Sequence, residues 1–426
     1  MKKKYRIILY TSIFLLCVVA SIILVVKKSN SVYEEESKPK VVKHKSMLSM
    51  NLEQTAGAGD YKTVTQSKWP TEGYKFNAEL SRCENGSTLS WDDTKKAVIV
   101  SGNLSDKCYV YFDIYQPTLA EYIKSQYTGT QGENNIYYHD SNLTNGAGDN
   151  SYRYAGANPN NFVCFGSDAS PCPTDNLYRI IGVFGENYHG VTGKQLVKLI
   201  KYDYMTTDEL GTDGDYSQTY KEWGMDSTYK GTYGDGERIG VYFWNKDAST
   251  NTWSTSLLNK TNLNTNFINY LGTTWANKIA TVTWKVGGNT WANIGAKTSS
   301  VAYTNEITNP VTTNTTDNAT TYSAKIGLMY VSDYGFAASP DAWTLTMSSY
   351  NNTTATNNNW MYMGLYEWTI SRYADNSDFA FRVDNGGLVS SSGVDFNRGV
   401  RASFSLESSV SYVSGSGSMS DPIVIN

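Results

Sequence analysis

Histidine is nearly absent from this chain of 426 residues, and the common catalytic motifs are missing. The three histidines, His44, His139 and His189, lie far apart in the sequence, so neither a three-histidine metal site nor a Ser-His-Asp triad is indicated. The chain also lacks the Gly-x-Ser-x-Gly, His-Glu-x-x-His and Gly-x-x-x-x-Gly-Lys motifs. We therefore expect a protein without catalytic activity and without a cofactor.

Cysteine is also scarce, with five residues in the chain. Cys17 lies in an apolar segment, and the other four fall into two local pairs. An even number of paired cysteines favours disulfides, Cys83–Cys108 and Cys164–Cys172, formed in an oxidising compartment. Four buried free thiols are the open alternative. A zinc site is not indicated, because no Cys-x-x-Cys occurs.

Charge is missing from Ile7–Val26, which is the longest apolar segment near the N-terminus. At about 1.5 Å per residue, a helix of this length spans the roughly 30 Å hydrocarbon core of a bilayer. Lysine and arginine precede the segment, so the N-terminus is expected in the cytoplasm and the remainder outside the cell. This predicts a single-pass protein of the cell membrane. A signal peptide cleaved after Ala20 is the alternative, and it also exports the rest of the chain.

The exported part is acidic. Six of the 36 lysines and arginines lie in the first 28 residues, which leaves 30 basic residues against 40 acidic ones. An acidic surface disfavours nucleic acid as a partner, so we expect none.

Composition divides the chain into five predicted segments. The polar, small-residue stretch after the apolar helix lacks the apolar residues needed for a core, and short β-branched or aromatic runs follow it. The segments are a cytoplasmic tip and transmembrane anchor (1–28), a disordered stalk (29–67), a small disulfide-bridged β module (68–115), a helix with a Gly/Asn-rich connector (116–161), and a main domain (162–426).

Strand signals recur through the main domain, for example at Leu177–Phe184 and 195–202, and an amphipathic helix is predicted at 256–271. The predicted fold class is therefore α+β: an N-terminal transmembrane helix, a small antiparallel β module, and a larger domain with irregular loops.

An acidic, glycine-rich stretch offers weak calcium ligands at Asp213, Asp215 and Asp235. Calcium takes six to eight oxygen ligands, which such loops can supply. The spacing does not continue as an EF-hand loop, however, because the twelfth position is Gly224. A solvated loop is the simpler interpretation, and no metal is predicted.

The order of segments in the main domain resembles the C-type-lectin-like fold in its formylglycine-generating-enzyme-type branch, as found in bacterial surface proteins. The motifs are Leu-Tyr-Arg-Ile-Ile-Gly-Val at 177–183, Phe-Ala-Phe-Arg-Val at 379–383 and Arg-Gly-Val-Arg-Ala-Ser-Phe at 398–404. This resemblance implies a scaffold whose irregular loops form a binding surface. The enzymes of that branch need a late pair of cysteines, and no cysteine follows Cys172.

These observations predict a membrane-anchored, surface-exposed bacterial binding or adhesion protein for an unknown protein or glycan. The alternative is a structural protein of the cell envelope that self-associates or contacts wall components. Aromatic side chains favour such contacts. The candidate ligand-contacting residues are Trp360, Tyr362, Trp368 and Arg382. A structural role for Arg382, paired with an acid or a carbonyl, is the open alternative.

Overall fold

The computed structural model describes residues 48–426, apart from 66–67, 71–72, 104, 225, 248–249, 311–319 and 351–355. The chain divides into two compact units, Met1–Tyr115 (unit 1) and Gln116–Asn426 (unit 2). The predicted transmembrane segment Ile7–Val26 lies outside the described residues. Among the described residues, no helix is both long and apolar enough to cross a membrane.

The described part of unit 1 contains six strands. Four of them form a sheet in the order β2-β1-β6-β3, with β1 and β6 parallel, and β4 and β5 form a separate hairpin. The strands are β1 (Leu48–Glu53), β2 (Tyr61–Val64), β3 (Tyr74–Cys83), β4 (Thr88–Asp92), β5 (Ala97–Ser101) and β6 (Cys108–Ile114).

The stalk prediction for 29–67 is wrong for residues 48–64, because β1 and β2 lie there. Met50 and Leu52 of β1 are buried against Val110 and Phe112 of β6. This parallel pairing joins segments far apart in sequence, so neighbouring residues give no sign of it.

The Cys83–Cys108 disulfide predicted from the sequence is confirmed. The two cysteines face each other in the register between β3 and β6. The bridge therefore ties the last residue of β3 to the first residue of β6, in a unit whose buried apolar core is small.

Unit 2 contains two large sheets. The seven-stranded sheet has the order β16-β21-β11-β10-β8-β7, with β9 also pairing with β10; the six-stranded sheet has the order β12-β13-β20-β17-β18-β19. Two-stranded pairs β14–β15 and β22–β23 complete the described sheets. The strands are β7 (Ile136–Tyr138), β8 (Tyr152–Tyr154), β9 (Phe162–Cys164), β10 (Leu177–Phe184), β11 (Leu196–Lys201), β12 (Tyr216–Thr219), β13 (Gly240–Phe243), β14 (Val282–Lys285), β15 (Thr321–Ala324), β16 (Ile326–Gly327), β17 (Glu367–Arg372), β18 (Phe379–Val383), β19 (Val389–Gly393), β20 (Asn397–Gly399), β21 (Ser403–Ser405), β22 (Tyr412–Ser414) and β23 (Val424–Ile425).

The described helices of unit 2 are short. The α-helices are α1 (Leu119–Ser125), α2 (Glu186–His189), α3 (Thr207–Leu210), α4 (Tyr220–Trp223), α5 (Ile268–Ala276), α6 (Ser299–Tyr303) and α7 (Val331–Ala337). Two π-helical stretches (Leu258–Phe267, Thr304–Thr308) and five 3-10 turns (Glu133–Asn135, Thr174–Asn176, Trp291–Asn293, Pro340–Thr344, Met347–Ser349) accompany them. Thr118 caps α1 in a capping box with Glu121, as a threonine three residues before a glutamate favours.

The predicted α+β class is wrong, because the structure is mostly β, with 33% of residues in strands and 21% in helices. The strand at Leu177–Phe184 was predicted with the bounds that it has, and every residue of β10 is buried. The helix predicted for 256–271 begins as the π-helical stretch and ends in α5. Most other connections are loops and single turns, which shifts the class toward β.

Several buried ion pairs stabilise unit 2, among them Arg401–Glu367, Lys198–Asp333 and Lys201–Glu209. Arg401, between β20 and β21, donates through Nε and Nη2 to Glu367 of β17, at 2.8 and 2.9 Å. Because Arg401 lies in the connection from β20 to β21, this pair holds the segment that joins the two large sheets. Lys198 of β11 lies 2.7 Å from Asp333 of α7, and the Tyr188 hydroxyl donates to the same carboxylate. Removing one partner of a buried ion pair destabilises the fold, because the other charge is left buried without compensation.

Candidate functional site

Two of the candidate ligand-contacting residues are core side chains instead. Trp360 is 3% exposed and Trp368 is fully buried. Their indole N–H groups donate to the carbonyls of Tyr154 and Tyr242, each at 2.9 Å. The sequence identifies them as large aromatic residues but does not show whether they face the core or the solvent.

The other two candidates are only partly accessible. Tyr362 is 6% exposed, and its hydroxyl donates to the carbonyl of Asn385. Arg382 donates from Nε to the Ser392 hydroxyl at 2.7 Å, and Asp384 lies 4.0 Å from its Nη1. Burial lowers the pKa of Arg382, and Asp384 opposes that effect. Arg382 therefore has the structural partners that the alternative interpretation expected.

The three calcium candidates do not form a metal site, and the described residues contain no cluster of three or more such ligands. Asp215 is buried and accepts backbone N–H groups from Lys246 and Leu258, while burial raises the pKa of its carboxyl. Asp213 accepts from the Asn266 amide. Asp235 lies 3.7 Å from Lys221. Each carboxylate thus has a local structural partner.

A pocket of about 280 Å³ lies at the start of unit 2, in the region predicted as a connector. We call it the amide pocket, because four carboxamide side chains line it and none of its lining residues is charged. Its residues are Tyr122, Gln126, Asn134, Asn135, Ile136, Tyr154, Asn160 and Ser416.

Tyr154 gives the amide pocket an unused hydrogen-bonding group. The residue is 4% exposed, and its hydroxyl has no hydrogen-bond partner among the described residues. Burial, followed by the nearby Tyr122 phenol, raises the pKa of Tyr154 above its usual value. The hydroxyl oxygen itself is not fully buried, so water or a ligand in the pocket can reach it.

Three carboxamides of the pocket also have hydrogen-bonding groups that no described residue uses. The side chains of Asn135 and Asn160 make no hydrogen bond to another described residue, and Asn134 uses only its nitrogen, which donates to the carbonyl of Gln126 at 2.9 Å. Each unused carboxamide supplies two donors and an acceptor oxygen. The pocket therefore offers donors and acceptors without net charge.

The backbone at the pocket is held in an uncommon conformation. Asn134 and Asn135 are consecutive residues with φ of 57° and 58°, in the left-handed region. Asparagine tolerates this region better than other side-chain-bearing residues, yet glycine would adopt it more easily. Asn145 and Asn150, which do not line the pocket, have nearly the same φ, so this conformation suits the asparagine backbone but does not by itself mark the pocket.

The tyrosines of the pocket are fixed in place. Tyr122 of α1 stacks on Tyr412 with ring centroids 3.7 Å apart, and burial raises the pKa of Tyr122 to about 12. The backbone of β8 is paired with β7 next to Asn135, since Ala155 N donates to the Asn135 carbonyl at 3.0 Å. Four separate parts of the chain are thus held around one small cavity.

The Cys164–Cys172 disulfide is confirmed as well. Cys164 ends β9, which pairs with β10 of the seven-stranded sheet. The bridge closes the short segment that follows β9, across a separation of 8 residues.

Comparisons with protein-family models, with curated proteins and with solved structures gave no match for this chain. The resemblance to the C-type-lectin-like fold therefore stays a prediction. The amide pocket, with its uncharged lining and its unpaired Tyr154 hydroxyl, is the candidate functional site.

Proposed function

We propose that the chain is an exported binding protein, and that its amide pocket takes one uncharged sugar residue without transforming it. The Tyr154 hydroxyl carries this proposal, because no described residue pairs with it and it lines an uncharged pocket, where a ligand hydroxyl can replace the water that reaches it.

The chemistry of the lining favours a saccharide. Sugar hydroxyls both donate and accept hydrogen bonds, as carboxamides do, so each amide can pair with two neighbouring hydroxyls. A charged ligand would gain no ion pair here and would lose its hydration. The volume of about 280 Å³ lies just below the range of drug-sized sites, which suits one ring rather than an extended chain.

Export is supported by the two disulfides, which persist in oxidising compartments. Binding without chemistry is supported by the lining itself, which contains no carboxylate, histidine, cysteine or lysine to transfer a proton or attack a substrate. The resemblance to a binding scaffold points the same way by analogy of fold alone.

The test is calorimetric titration of the full chain with methyl glycosides of neutral hexoses and N-acetylhexosamines. One ring bound by a few hydrogen bonds gives a Kd on the order of 1 mM. Asn135→Gly removes one carboxamide and keeps a residue suited to positive φ, so the backbone is preserved. It should weaken binding about two- to tenfold, since each hydrogen bond contributes about 0.5–1.5 kcal/mol.

The matched control is Asn145→Gly. Asn145 has nearly the same backbone conformation, with φ of 59°, but does not line the pocket. Equal weakening by both variants would refute the proposal, as would an absence of binding to every neutral glycoside. Concentration-dependent self-association of a chain that binds no sugar would instead favour the structural role in the envelope.

A further inference from the structure

Unit 1 contains a groove of about 420 Å³, independent of the amide pocket. We call it the aromatic groove, because five rings line it: Tyr74, Phe76, Trp91, Phe112 and Tyr115. Phe112 is 1% exposed and forms the floor, whereas Trp91 and Phe76 are half-buried. Half-buried aromatic rings around one cavity are typical of ligand sites.

The walls of the aromatic groove are rigid. Trp91 meets Phe112 edge to face, with ring centroids 5.6 Å apart, and Phe76 does the same at 5.9 Å. The Trp91 indole N–H also donates to Asp93 at 2.8 Å, which fixes the rotation of the ring. The flat surfaces are therefore set before a ligand arrives, which lowers the entropy cost of binding.

Charge distinguishes this groove from the amide pocket. Its charged lining residues are Lys75, Lys96 and Asp93. The Asp93 carboxylate accepts a hydrogen bond from the Trp91 indole and lies 3.5 Å from the Nζ of Lys96. Lys75 makes no ion pair with a described residue, and its ammonium lies 5.2 Å from the ring centroid of Tyr115. A positive charge beside an aromatic surface is thus left for a ligand.

We propose that the aromatic groove of unit 1 binds a carboxylated sugar residue, of the hexuronic acid class. The apolar face of the sugar packs on the Trp91 wall, and its carboxylate pairs with Lys75. The volume lies within the small-ligand range of about 300–1,000 Å³. A protein partner would need about 800 Å² of surface on each side, more than a single groove of this size offers.

The test is titration of the full chain with a trisaccharide of hexuronic acid and with the neutral hexose trisaccharide of the same length. Raising NaCl from 50 to 500 mM should weaken uronate binding about two- to fivefold, because salt screens an exposed ion pair, and should leave binding of the neutral trisaccharide unchanged. Lys75→Gln should weaken uronate binding about two- to fivefold. Trp91→Ala should weaken it more than tenfold.

Two controls keep the test decisive. Lys62→Gln removes one exposed charge of β2, outside the groove, and should leave uronate binding unchanged. Trp91→Ala could weaken binding simply by unfolding unit 1. Trp91→Phe retains a ring and should preserve the fold, and it should bind the uronate more weakly than the unchanged chain but more tightly than Trp91→Ala. Asn135→Gly should also leave uronate binding unchanged, which separates this site from the one proposed in unit 2.

Equal weakening of both trisaccharides by salt, or full uronate affinity in both Lys75→Gln and Trp91→Phe, would overturn the proposal. Binding of an acidic peptide in place of the uronate, weakened by the same two variants, would also overturn it in favour of a protein ligand.

Discussion

Tyr154→Phe should lower the affinity for the sugar without destabilising the fold. The hydroxyl that it removes has no hydrogen-bond partner among the described residues. Because water reaches this hydroxyl through the pocket, its removal should change the free energy of unfolding by less than about 0.5 kcal/mol. Sugar affinity should fall about three- to tenfold, the contribution of one hydrogen bond.

Tyr188→Phe is the matched control for this change. The Tyr188 hydroxyl donates to Asp333 at 2.7 Å and accepts from Lys198 at 2.6 Å, and all three residues are buried. Hydrogen bonds to charged groups contribute about 1.5–3 kcal/mol, so this variant should lose about that much stability. The same chemical change is thus expected to lower stability at position 188 and to leave it nearly unchanged at position 154.

Urea unfolding followed by tryptophan fluorescence measures both variants, since nine of the eleven tryptophans lie in unit 2. A loss of more than about 1 kcal/mol in Tyr154→Phe would refute the reasoning, because it would mean that the hydroxyl is already paired within the protein.

Three further predictions concern stability. Glu367→Gln should destabilise unit 2 by about 3–5 kcal/mol in urea unfolding, because it leaves Arg401 charged and buried with its carboxylate partner removed. Replacing Cys164 and Cys172 with serine should cost about 2.5 kcal/mol, from their separation of 8 residues. Burial, then the charge of Arg153, holds the pKa of His139 well below 6.5. The unfolding free energy should therefore fall as pH drops below about 6.5, by up to about 1.4 kcal/mol per pH unit, with a smaller slope in His139→Phe.

The parts of the fold predicted from sequence are those encoded locally. The apolar run Leu177–Phe184 is β10, and the close spacing within each cysteine pair predicted both disulfides. β1 could not be predicted in this way, because Met50 and Leu52 are buried only through pairing with a strand about sixty residues later, as Met50↔Val110 shows.

The amide pocket could not be predicted from local sequence either. Its lining comes from α1, the turn before β7, the segment around β8 and a loop near the C-terminus. The Gly-Glu-Asn-Asn sequence at 132–135 signals a turn, and that was the one available clue. Burial of Trp360 and Trp368 was equally hidden, since an aromatic residue packs in a core or lines a surface with the same local sequence.

The most direct test of the central claim is a crystal structure of the full chain with the neutral glycoside that binds it. We expect one sugar ring in the amide pocket. One sugar hydroxyl should lie within about 3.2 Å of the Tyr154 hydroxyl oxygen, and another within about 3.2 Å of an Asn135 carboxamide atom. A sugar bound elsewhere, with only water beside Tyr154, would contradict it.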